Sequence, residues 1–445
     1  MVIELNQGVI IKKHNNTGVL INTKQARYRK LNNSGLVIAE FLQDSVRTEP
    51  EELFSKLSNY YGIPKDLMTE DVNNFLDELM KAGFIKDSSS EGNEKNSTAN
   101  DFTDNGIWLK VTNRCNLKCE YCYANSGAFD AKSEISIEEI EDLLSNMSEP
   151  IRKIIITGGE PLIRNDILDI IRVCNKYGKV QLLTNGTLGD RELYETILSL
   201  VDSIQISIDS NLPEYHDRNR GAGSFEKAVQ HAGLICEIDN SKLAVAMTPT
   251  PKYKADIVDM IKFCQSIGVY QLHINRFVPY GRAEKYEDGF NLEDFFNWVD
   301  KGYEYIYDTY VSYYKQNRQF NFLLDVASDL NREVYSTGKK CSCGVNHNLF
   351  SIDCNGDVYL CPSLHKEGLV LGNVKEKSLV DIKSESKKKY KSFLVDDLDK
   401  CKDCELKYFC AGGCRAIALN NTDDIYGVED DCAVYKKRIL DLMVR

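Results

Sequence analysis

The sequence of 445 residues contains no apolar run approaching the roughly 20 residues that a membrane-spanning helix needs. Its first residues, MVIELNQGVIIKK, lack the basic head, long apolar stretch and small-residue cleavage site of a secretory signal, so we expect a cytoplasmic protein. An excess of positive charge is absent as well, because 55 basic and 67 acidic residues give a formal net charge of −12. Binding to nucleic acid or to a membrane surface is therefore not expected.

Histidine is also scarce, with six residues, whereas cysteine is abundant, with 15. An odd number of cysteines cannot pair completely within one chain, and a reducing cytosol keeps thiols free in any case. The thiols are clustered: three lie between positions 115 and 122, and nine lie between 341 and 432. Clustered free thiols in a cytosolic protein indicate metal or redox chemistry.

The first part of the chain, 1–87, is predicted to be a small α+β unit. Short β-type runs bounded by turn residues occur at 8–14, 18–24 and 26–32. Helical periodicity follows, with apolar residues three and four apart through 53–61 and 72–80. The next segment, 88–105, is polar and almost free of apolar residues, so we interpret it as a linker.

The central part, 106–290, alternates apolar β-branched runs with amphipathic helical patterns. The predicted strands are 107–112, 153–157, 179–184, 203–208, 242–247 and 270–275. This alternation predicts an α/β domain with a parallel sheet, either doubly wound or curved into a partial barrel. Residues 291–339 are predicted to be bridging helices. The remaining segment, 340–445, has weak hydrophobic periodicity and many cysteines, so we expect bound metal centres to stabilise its fold.

The first cysteine group, Cys115-x3-Cys119-x2-Cys122, comes directly after the first strand of the α/β part. Loops at the carboxyl ends of parallel strands are where such sheets place their chemistry. Three thiolates can ligate three irons of a 4Fe–4S cluster and leave the fourth iron open. A zinc knuckle with a fourth ligand from elsewhere is the alternative for this spacing.

Three further motifs follow successive strands: Gly158-Gly159-Glu160-Pro161, Thr184-Asn185-Gly186 and Ser207-Ile208-Asp209. With these motifs in this order, 106–280 resembles the radical S-adenosylmethionine (SAM) superfamily. The resemblance implies a partial (β/α)6 TIM-like barrel. It also implies that Cys115, Cys119 and Cys122 hold a catalytic 4Fe–4S cluster whose open iron binds SAM.

The resemblance also implies roles for the SAM-binding residues. Gly158, Gly159 and Glu160 are expected to face the methionine ammonium, where glycines allow a close approach of the backbone. The main chain of Tyr121 is expected to meet the adenine. The remaining candidates are Asn185, Ser207 and Asp209 near the ribose or methionine, and Arg220 as a partner of the SAM carboxylate. For these four, hydrogen bonding at a strand end or helix capping is the alternative.

The second cysteine group resembles the SPASM extension of radical SAM enzymes, which carries two auxiliary 4Fe–4S clusters. By this resemblance the outer cluster is ligated by Cys401, Cys404, Cys410 and Cys432, and the inner one by Cys343, Cys361 and Cys414. Cys341 is the nearest candidate for the fourth inner ligand; otherwise that iron is open to a substrate thiolate. Zinc ribbons also use paired cysteines. The other thiols are interpreted as structural: Cys174, Cys236, Cys264 and Cys354.

The N-terminal unit, with three strands before its helices, resembles the RiPP recognition element, a winged-helix-like α+β fold. Such units bind the leader of a ribosomally made precursor peptide as an added strand. Here the edge would be Ala26–Leu31 and the neighbouring helix Asp71–Lys81. A small winged-helix or dimerisation domain is the alternative.

Together the three parts resemble sactipeptide and ranthipeptide maturases. The resemblance implies an enzyme whose 5′-deoxyadenosyl radical abstracts hydrogen from a precursor peptide and forms a thioether from cysteine to carbon. Ferredoxin or flavodoxin would supply electrons. Other SPASM reactions are alternatives: C–C or C–O cross-linking, epimerisation, and sulfatase-maturase-type oxidation, which Pro362 disfavours because those maturases have an Asp base there. A non-catalytic, zinc-stabilised peptide-binding scaffold is the alternative of another class.

Overall fold

The structure is a computed structural model of the chain. It describes residues 2–14, 17–45, 47–88, 106–127, 134–147, 149–250, 254–286, 291–327, 339–341, 343–347, 349–366, 368–390, 392–428 and 432–444. Apart from Ser88, the predicted linker at 88–105 lies outside the described residues.

The N-terminal unit combines two small sheets with three helices. Its strands are β1 (Ile3–Leu5), β2 (Val9–His14), β3 (Thr17–Asn22), β4 (Arg27–Leu31) and β5 (Ile85–Asp87). Its helices are α1 (Asn33–Asp44), α2 (Pro50–Tyr61) and α3 (Thr69–Lys81), with a 3-10 turn at Lys65–Leu67. One antiparallel sheet has the order β2-β3-β4, and the other pairs β1 with β5. The three predicted strands are confirmed, whereas β1 and β5 are too short to give a sequence pattern.

The central sheet contains ten strands. They are β6 (Gly106–Thr112), β7 (Lys153–Gly158), β8 (Lys179–Thr184), β9 (Ser203–Ser207), β10 (Leu243–Met247), β11 (Gln271–Ile274), β12 (Leu323–Val326), β13 (Leu349–Ile352), β14 (Asp357–Tyr359) and β15 (Gly372–Asn373). Their order is β12-β11-β10-β9-β8-β7-β6-β13-β14-β15, and every pair from β12 to β13 is parallel. The six predicted strands are confirmed to within one residue at either end.

Helices cover one face of this sheet. They are α4 (Ile137–Ser145), α5 (Ile167–Tyr177), α6 (Arg191–Leu200), α7 (Pro213–Arg220), α8 (Ser224–Asp239) and α9 (Ile257–Ser266), with 3-10 turns at Pro161–Ile163, Asn240–Lys242 and Gly281–Lys285. Strand residues such as Ile156, Leu182 and Ile206 are fully buried under them, and each such burial contributes about 1.5–3 kcal/mol. Alternate residues, such as Gln181 and Gln205, point to the opposite, inner face.

Helix α4 begins with a capping box. The Ser136 hydroxyl accepts the Glu139 N–H at 3.2 Å, and the Glu139 carboxylate accepts the Ser136 N–H at 2.8 Å. These two bonds satisfy two of the backbone donors that a helix start leaves open. Short-range chemistry therefore fixes where this helix begins.

The segment 291–339 corrects the prediction of bridging helices. Its described part holds one helix, α10 (Leu292–Lys315), followed by β12, a seventh parallel strand beside β11. A short apolar run such as Phe322–Ala327 cannot be assigned to strand or helix by periodicity alone. The parallel pairing of this segment with β11 shows that it is a strand.

The C-terminal segment extends the central sheet. Strand β13 lies parallel to β6, with Ser351 opposite Trp108. Strands β13, β14 and β15 pair antiparallel, with a 3-10 turn at Pro362–Leu364 between β14 and β15. Four helices follow: α11 (Leu379–Lys389), α12 (Lys407–Cys410), α13 (Arg415–Thr422) and α14 (Cys432–Val444).

The N-terminal sheet packs against this C-terminal segment. Val19 and Ile21 of β3 are fully buried in a cluster with Leu406, Phe409 and residues of α14. The ring of Tyr28 on β4 meets that of Phe409 edge-on at 6.5 Å. One face of the small sheet is thus occupied by the C-terminal segment, and β4 remains an edge strand.

Candidate active site

The three thiols of the first cysteine group come together in the loop after β6. Burial raises the pKa of Cys119 to about 11, and the neighbouring thiols of Cys122 and Cys115 add to the rise. Burial likewise raises the pKa of Cys115, with a contribution from Cys122. The start and the end of the loop are joined by the Cys115 N–H, which donates to the Gly127 carbonyl at 3.0 Å. The grouping expected from the spacing is therefore present in the structure.

Arg282 fixes this loop from a distant part of the chain, which the sequence pattern does not predict. Its Nε donates to the Cys119 carbonyl at 2.8 Å, and its backbone N–H donates to the Cys122 carbonyl at 3.1 Å. Gly281 precedes it with φ +59°, and a Cβ there would lie 2.7 Å from the Cys122 carbonyl oxygen. A side chain at that position would push the loop away.

Gly158 and Gly159 lie where β7 passes the cysteine loop. A Cβ on Gly159 would lie 2.2 Å from the Arg114 carbonyl oxygen, and one on Gly158 would lie 2.5 Å from that of Thr112. The glycines are therefore required by the close approach of the two strand ends. Their predicted contact with SAM stays a prediction.

Glu160 is fully buried and its carboxylate is held by three donors. These are the Thr184 hydroxyl at 2.8 Å, the Asn185 N–H at 2.7 Å and the Leu162 N–H at 3.0 Å. Burial raises the pKa of Glu160, and these donors oppose the rise. The Asn185 side chain approaches the Cys115 sulfur at 4.0 Å. The structure therefore brings Glu160 and Asn185 to the first cysteine loop, and their predicted contacts with SAM stay predictions.

Arg220 corrects one expectation. Instead of being free for a SAM carboxylate, its guanidinium forms a buried bidentate pair with Asp209, at 2.7 and 3.0 Å. The Tyr121 hydroxyl donates to the same carboxylate at 2.6 Å. Although burial would raise it, the Arg220 charge holds the pKa of Asp209 below its usual value. The sequence pattern identifies Arg220, Asp209 and Tyr121 but does not predict that they pair with one another. Ser207, another predicted site residue, ends β9 and points to the inner face of the sheet.

The inner group of C-terminal thiols also comes together. Burial raises the pKa of Cys361 well above its usual value, and Cys414 and Cys343 add to the rise. Cys341 lies beside Cys343 and its thiol donates to the Cys343 carbonyl at 2.7 Å. Cys341 is thus close enough to be considered as a fourth ligand.

The outer group has four members within reach of one another. Burial raises the pKa of Cys401 to about 11, with contributions from Cys410, Cys432 and Cys404. Cys432 comes from the start of α14, so this group ties the last helix to the segment before it.

A buried cation lies between the two C-terminal groups. The Arg415 side chain donates to the carbonyls of Ile425, Gly427 and Gly412, and among the described residues it meets no carboxylate. Burial raises the pKa of both Cys341 and Cys401, and the Arg415 charge opposes the rise in both. Thiolate-ligated clusters would supply negative charge beside Arg415, which has no carboxylate partner in the described part of the chain, so the residues fit the groups that the resemblance implies.

The remaining cysteines lie apart from these groups. Cys174 and Cys264 are buried in the barrel core, Cys236 packs against it, and Cys354 is buried beside Asp353. Within the described ranges no three His, Cys, Asp or Glu side chains surround one point as ligands of a single metal ion would. The ligands of a 4Fe–4S cluster instead bind separate corners of a cube.

A polar cavity of about 360 Å³ is lined by residues that adjoin both groups, with Tyr123 next to Cys122 and Pro362 next to Cys361. Burial raises the pKa of Tyr123, and the thiols of Cys122 and Cys361 add to the rise, so the phenol lies near both. In the cavity wall, Lys110 and Asp353 form an ion pair at 3.1 Å. None of these residues belongs to a sequence motif, so the sequence does not predict that the fold brings them together.

Three family models match the chain. The radical SAM superfamily matches 109–264, an iron–sulfur cluster-binding domain named SPASM matches 341–405, and coenzyme PQQ synthesis protein D (PqqD) matches 17–85. No helix in the described part of the chain is long and apolar enough to cross a membrane.

Two curated relatives and one solved structure are similar to most of the chain. An AdoMet-dependent heme synthase of Nitratidesulfovibrio vulgaris is 28% identical over 75% of this chain and 92% of its own. The subtilosin biosynthesis protein AlbA of Bacillus subtilis is 29% identical over 76% of this chain and 72% of its own. The structure of Streptococcus suis SuiB bound to precursor peptide SuiA has a TM-score of 0.56 at 15% identity, covering 96% and 99% of the two chains.

The barrel, the cysteine loop at its carboxyl edge and the matching model define a radical SAM domain, and the predicted fold class is confirmed. More particularly, this chain is a radical SAM enzyme that also carries a SPASM iron–sulfur domain and a PqqD domain.

Proposed function

We propose that this enzyme modifies a ribosomally made precursor peptide and joins a cysteine sulfur of the peptide to a carbon of another residue. The PqqD domain and the similarity to AlbA, a protein of bacteriocin biosynthesis, support a peptide substrate. Bound SAM would supply the radical chemistry that removes a hydrogen atom from an unactivated carbon. The chain's own residues bind, orient and shield the peptide.

The cavity between the two cysteine groups is the observation that carries this proposal. Tyr123, whose phenol lies near both Cys122 and Cys361, lines it together with Tyr280 and Pro362. A peptide thiol bound here would lie between the site of hydrogen abstraction and the inner C-terminal group. Thioether formation requires that the site of hydrogen abstraction and the inner thiol group act on the same substrate.

The cluster ligands are proposed as three sets. Cys115, Cys119 and Cys122 would hold the SAM-binding cluster; Cys401, Cys404, Cys410 and Cys432 would hold the outer auxiliary cluster; Cys343, Cys361 and Cys414 would hold the inner one. Cys341 would complete the inner set unless a substrate thiolate does. This assignment divides the chain into a peptide-binding unit (1–87), a catalytic core (106–290) and a cluster-binding segment (340–445).

Glu160 is proposed to bind the methionine ammonium of SAM. A carboxylate has about four acceptor positions, and three of those on Glu160 are occupied by Thr184, Asn185 and Leu162. The remaining one can accept an ammonium donor. The Arg220–Asp209 pair would act as a rigid wall that holds Tyr121 rather than as a direct partner of the SAM carboxylate.

The leader of the peptide is proposed to pair with the edge of β4, beside α3. Arg29 of β4 forms an ion pair with Glu78 of α3, and its guanidinium lies 5.8 Å from the centre of the Phe75 ring. Arg27 donates to the Ala82 carbonyl at 3.2 Å. The edge strand β4 and the helix together form the type of groove that accepts an extended peptide as an added strand.

The test is anaerobic incubation of the reconstituted enzyme with SAM, a reductant and the peptide encoded by the reading frame adjacent to this gene. We expect a product two hydrogens lighter per cross-link, with one cysteine per cross-link resistant to alkylation. Cys361→Ala should lose the cross-link, whereas the control Cys236→Ala, in a helix of the barrel, should retain it. An unchanged mass with altered stereochemistry would indicate epimerisation instead, and zinc without iron would indicate the scaffold.

A haem-forming reaction is the second candidate, because the heme synthase relative matches over 92% of its length. Incubation with a tetrapyrrole, such as Fe-coproporphyrin III, separates the two. Conversion of the tetrapyrrole with no change in the peptide would replace the peptide proposal.

A further inference from the structure

Positive charge is concentrated on the edge strand of the N-terminal sheet. Strand β4 has the sequence RYRKL, with Arg27, Arg29 and Lys30 and no acidic residue. The helix beside it has the opposite balance, since α3 contains four acidic residues and one basic residue, Lys81. In a chain whose net charge is −12, a basic strand edge facing an acidic helix is a distinct electrostatic feature.

The side chains of β4 alternate between two surroundings. Arg29 pairs in register with Leu20 of β3, which is buried under the helices of the N-terminal unit. Tyr28 pairs with Ile21, which is buried against the C-terminal segment. Because successive strand residues point to opposite faces, Arg27 and Arg29 both point to the side of α3. In a strand added beside β4, the residues opposite these two arginines would point to α3 as well.

The contacts of the two arginines give the direction of α3. Arg27 donates to the Ala82 carbonyl just after the helix, at 3.2 Å. Arg29 forms an ion pair with Glu78, and its guanidinium lies 5.8 Å from the centre of the Phe75 ring. Since Glu78 and Phe75 lie about one and two turns before Ala82, the helix runs antiparallel to β4. Along this groove Arg29 therefore lies between an aromatic ring and a carboxylate.

The two arginines are held by different kinds of partner. Arg27 bonds a backbone carbonyl, which cannot move away without disturbing the end of the helix. Arg29 bonds the side chain of Glu78, and the two side chains are 37% and 55% exposed. An ion pair this exposed changes an equilibrium constant by about fivefold at most. Another carboxylate can therefore replace Glu78 at little cost.

A bound strand would make the new bond to Arg29 stronger than the one it replaces. An added strand beside β4 covers the guanidinium and excludes water from it. Charge-assisted hydrogen bonds strengthen when their surroundings become less polar. The exchange of one carboxylate for the other therefore favours the bound peptide.

We propose that the leader presents a carboxylate to Arg29, and that this carboxylate displaces Glu78 from the guanidinium. The partner is an extended segment with an acidic residue opposite Arg29. Two positions from that residue, on the same face, it carries an apolar residue opposite Leu31, which is buried against the helices. The inference rests on the proposed leader binding and adds the chemistry of the segment that is bound.

The test measures the affinity of the full-length, iron-loaded enzyme for the fluorescein-labelled leader of the peptide encoded by the adjacent reading frame, by fluorescence anisotropy. For Arg29→Gln the Kd should rise about tenfold or more, because a charge-assisted bond is lost. For Glu78→Gln the Kd should fall about two- to fivefold, because the competing carboxylate is removed. A pair that only supports the groove would weaken binding when either partner is replaced.

The control is Lys56→Gln, which removes an exposed pair with Glu52 on α2 and should bind the leader as wild type does. Thermal unfolding of the Arg29 and Glu78 variants should stay within about 2 °C of wild type, because the pair is exposed. Raising the salt concentration from about 50 to about 500 mM should weaken the binding of wild type more than that of Arg29→Gln.

A charge exchange identifies the partner residue directly. Arg29→Glu is combined with leaders in which each acidic residue in turn is replaced by lysine. One of these leaders should bind Arg29→Glu at least about tenfold more tightly than the unchanged leader does, because an ion pair of reversed polarity forms. The position of that residue gives the register of the added strand.

Three outcomes would contradict the inference. An unchanged Kd for Arg29→Gln, or weaker binding by both variants, would overturn the exchange and leave the proposed leader site intact. Weaker binding by Glu78→Gln with tighter binding by Arg29→Gln would show that the leader brings a cation to Glu78. Failure of wild type to bind the leader would contradict the proposed leader site itself, and this inference with it.

Discussion

Two arginines, Arg220 in the barrel and Arg415 in the C-terminal segment, are both buried, but their charges are balanced differently. Arg220 is paired by two hydrogen bonds with the carboxylate of Asp209. Arg415 donates to backbone carbonyls, and within the described part of the chain no carboxylate meets it. The barrel arginine is therefore neutralised by a protein carboxylate, whereas among the described residues the C-terminal arginine has no such partner.

This difference indicates how each region depends on its clusters. The barrel has a large apolar core, and its cysteine loop is fixed by bonds such as that from Arg282 to the Cys119 carbonyl. The C-terminal segment has short strands and a smaller core that includes Cys343, Cys361 and Cys414. We expect the barrel to keep its structure without iron, and the C-terminal segment to lose much of its own.

Removal of iron should affect the largest part of the chain. After anaerobic chelation, amides between 401 and 414 should exchange hydrogen about 100-fold faster or more, equivalent to about 3 kcal/mol of lost local stability. Amides of β7 and β9 should change less than about threefold. Hydrogen exchange with mass spectrometry measures both. Equal acceleration in the two regions would show that the barrel also depends on its cluster.

Asp209→Asn should destabilise the barrel by about 3–5 kcal/mol, because it leaves the Arg220 charge buried without a partner. Urea unfolding of the iron-free protein measures the loss. The matched control is Asp169→Asn, which removes an exposed pair with Arg172 and should cost less than about 0.5 kcal/mol. Similar losses in the two variants would refute the buried ion pair.

The comparison also shows what the sequence can and cannot predict. Strands β6 to β11 and the cysteine groups follow local patterns, so the sequence is enough to predict them. The pairing of Arg220, at the end of α7, with Asp209, just after β9, depends on how the chain between them folds back. Arg282 contacts a carbonyl 163 positions away. No pattern of spacing contains such contacts. Strand β12 shows the same limit, since only its neighbour β11 distinguishes it from a helix.

Arg415→Met should affect the iron-loaded protein more than the iron-free one. We expect a loss of about 1.5–3 kcal/mol in the loaded form, the value of a hydrogen bond to a charged group, together with less iron per chain. Without iron the variant also removes an unbalanced buried charge, so the net loss should be smaller. Thermal unfolding and iron analysis, with exposed Arg172→Met as control, measure these effects. A larger loss in the iron-free form would contradict the charge argument.

The smallest effect is a pH slope from Glu160. Burial raises its pKa in the folded protein above the unfolded value of about 4.3, so its contribution to stability is complete below that value and is lost as the pH rises through the folded pKa. Glu160→Gln does not titrate, and its altered bonds to Thr184 and Asn185 give an offset that is independent of pH. The stability of wild type minus that of Glu160→Gln should therefore fall as the pH rises from about 4.3 toward neutral, measured by urea unfolding of the iron-free protein. A difference that rises over this range would mean that the donors around Glu160 outweigh its burial.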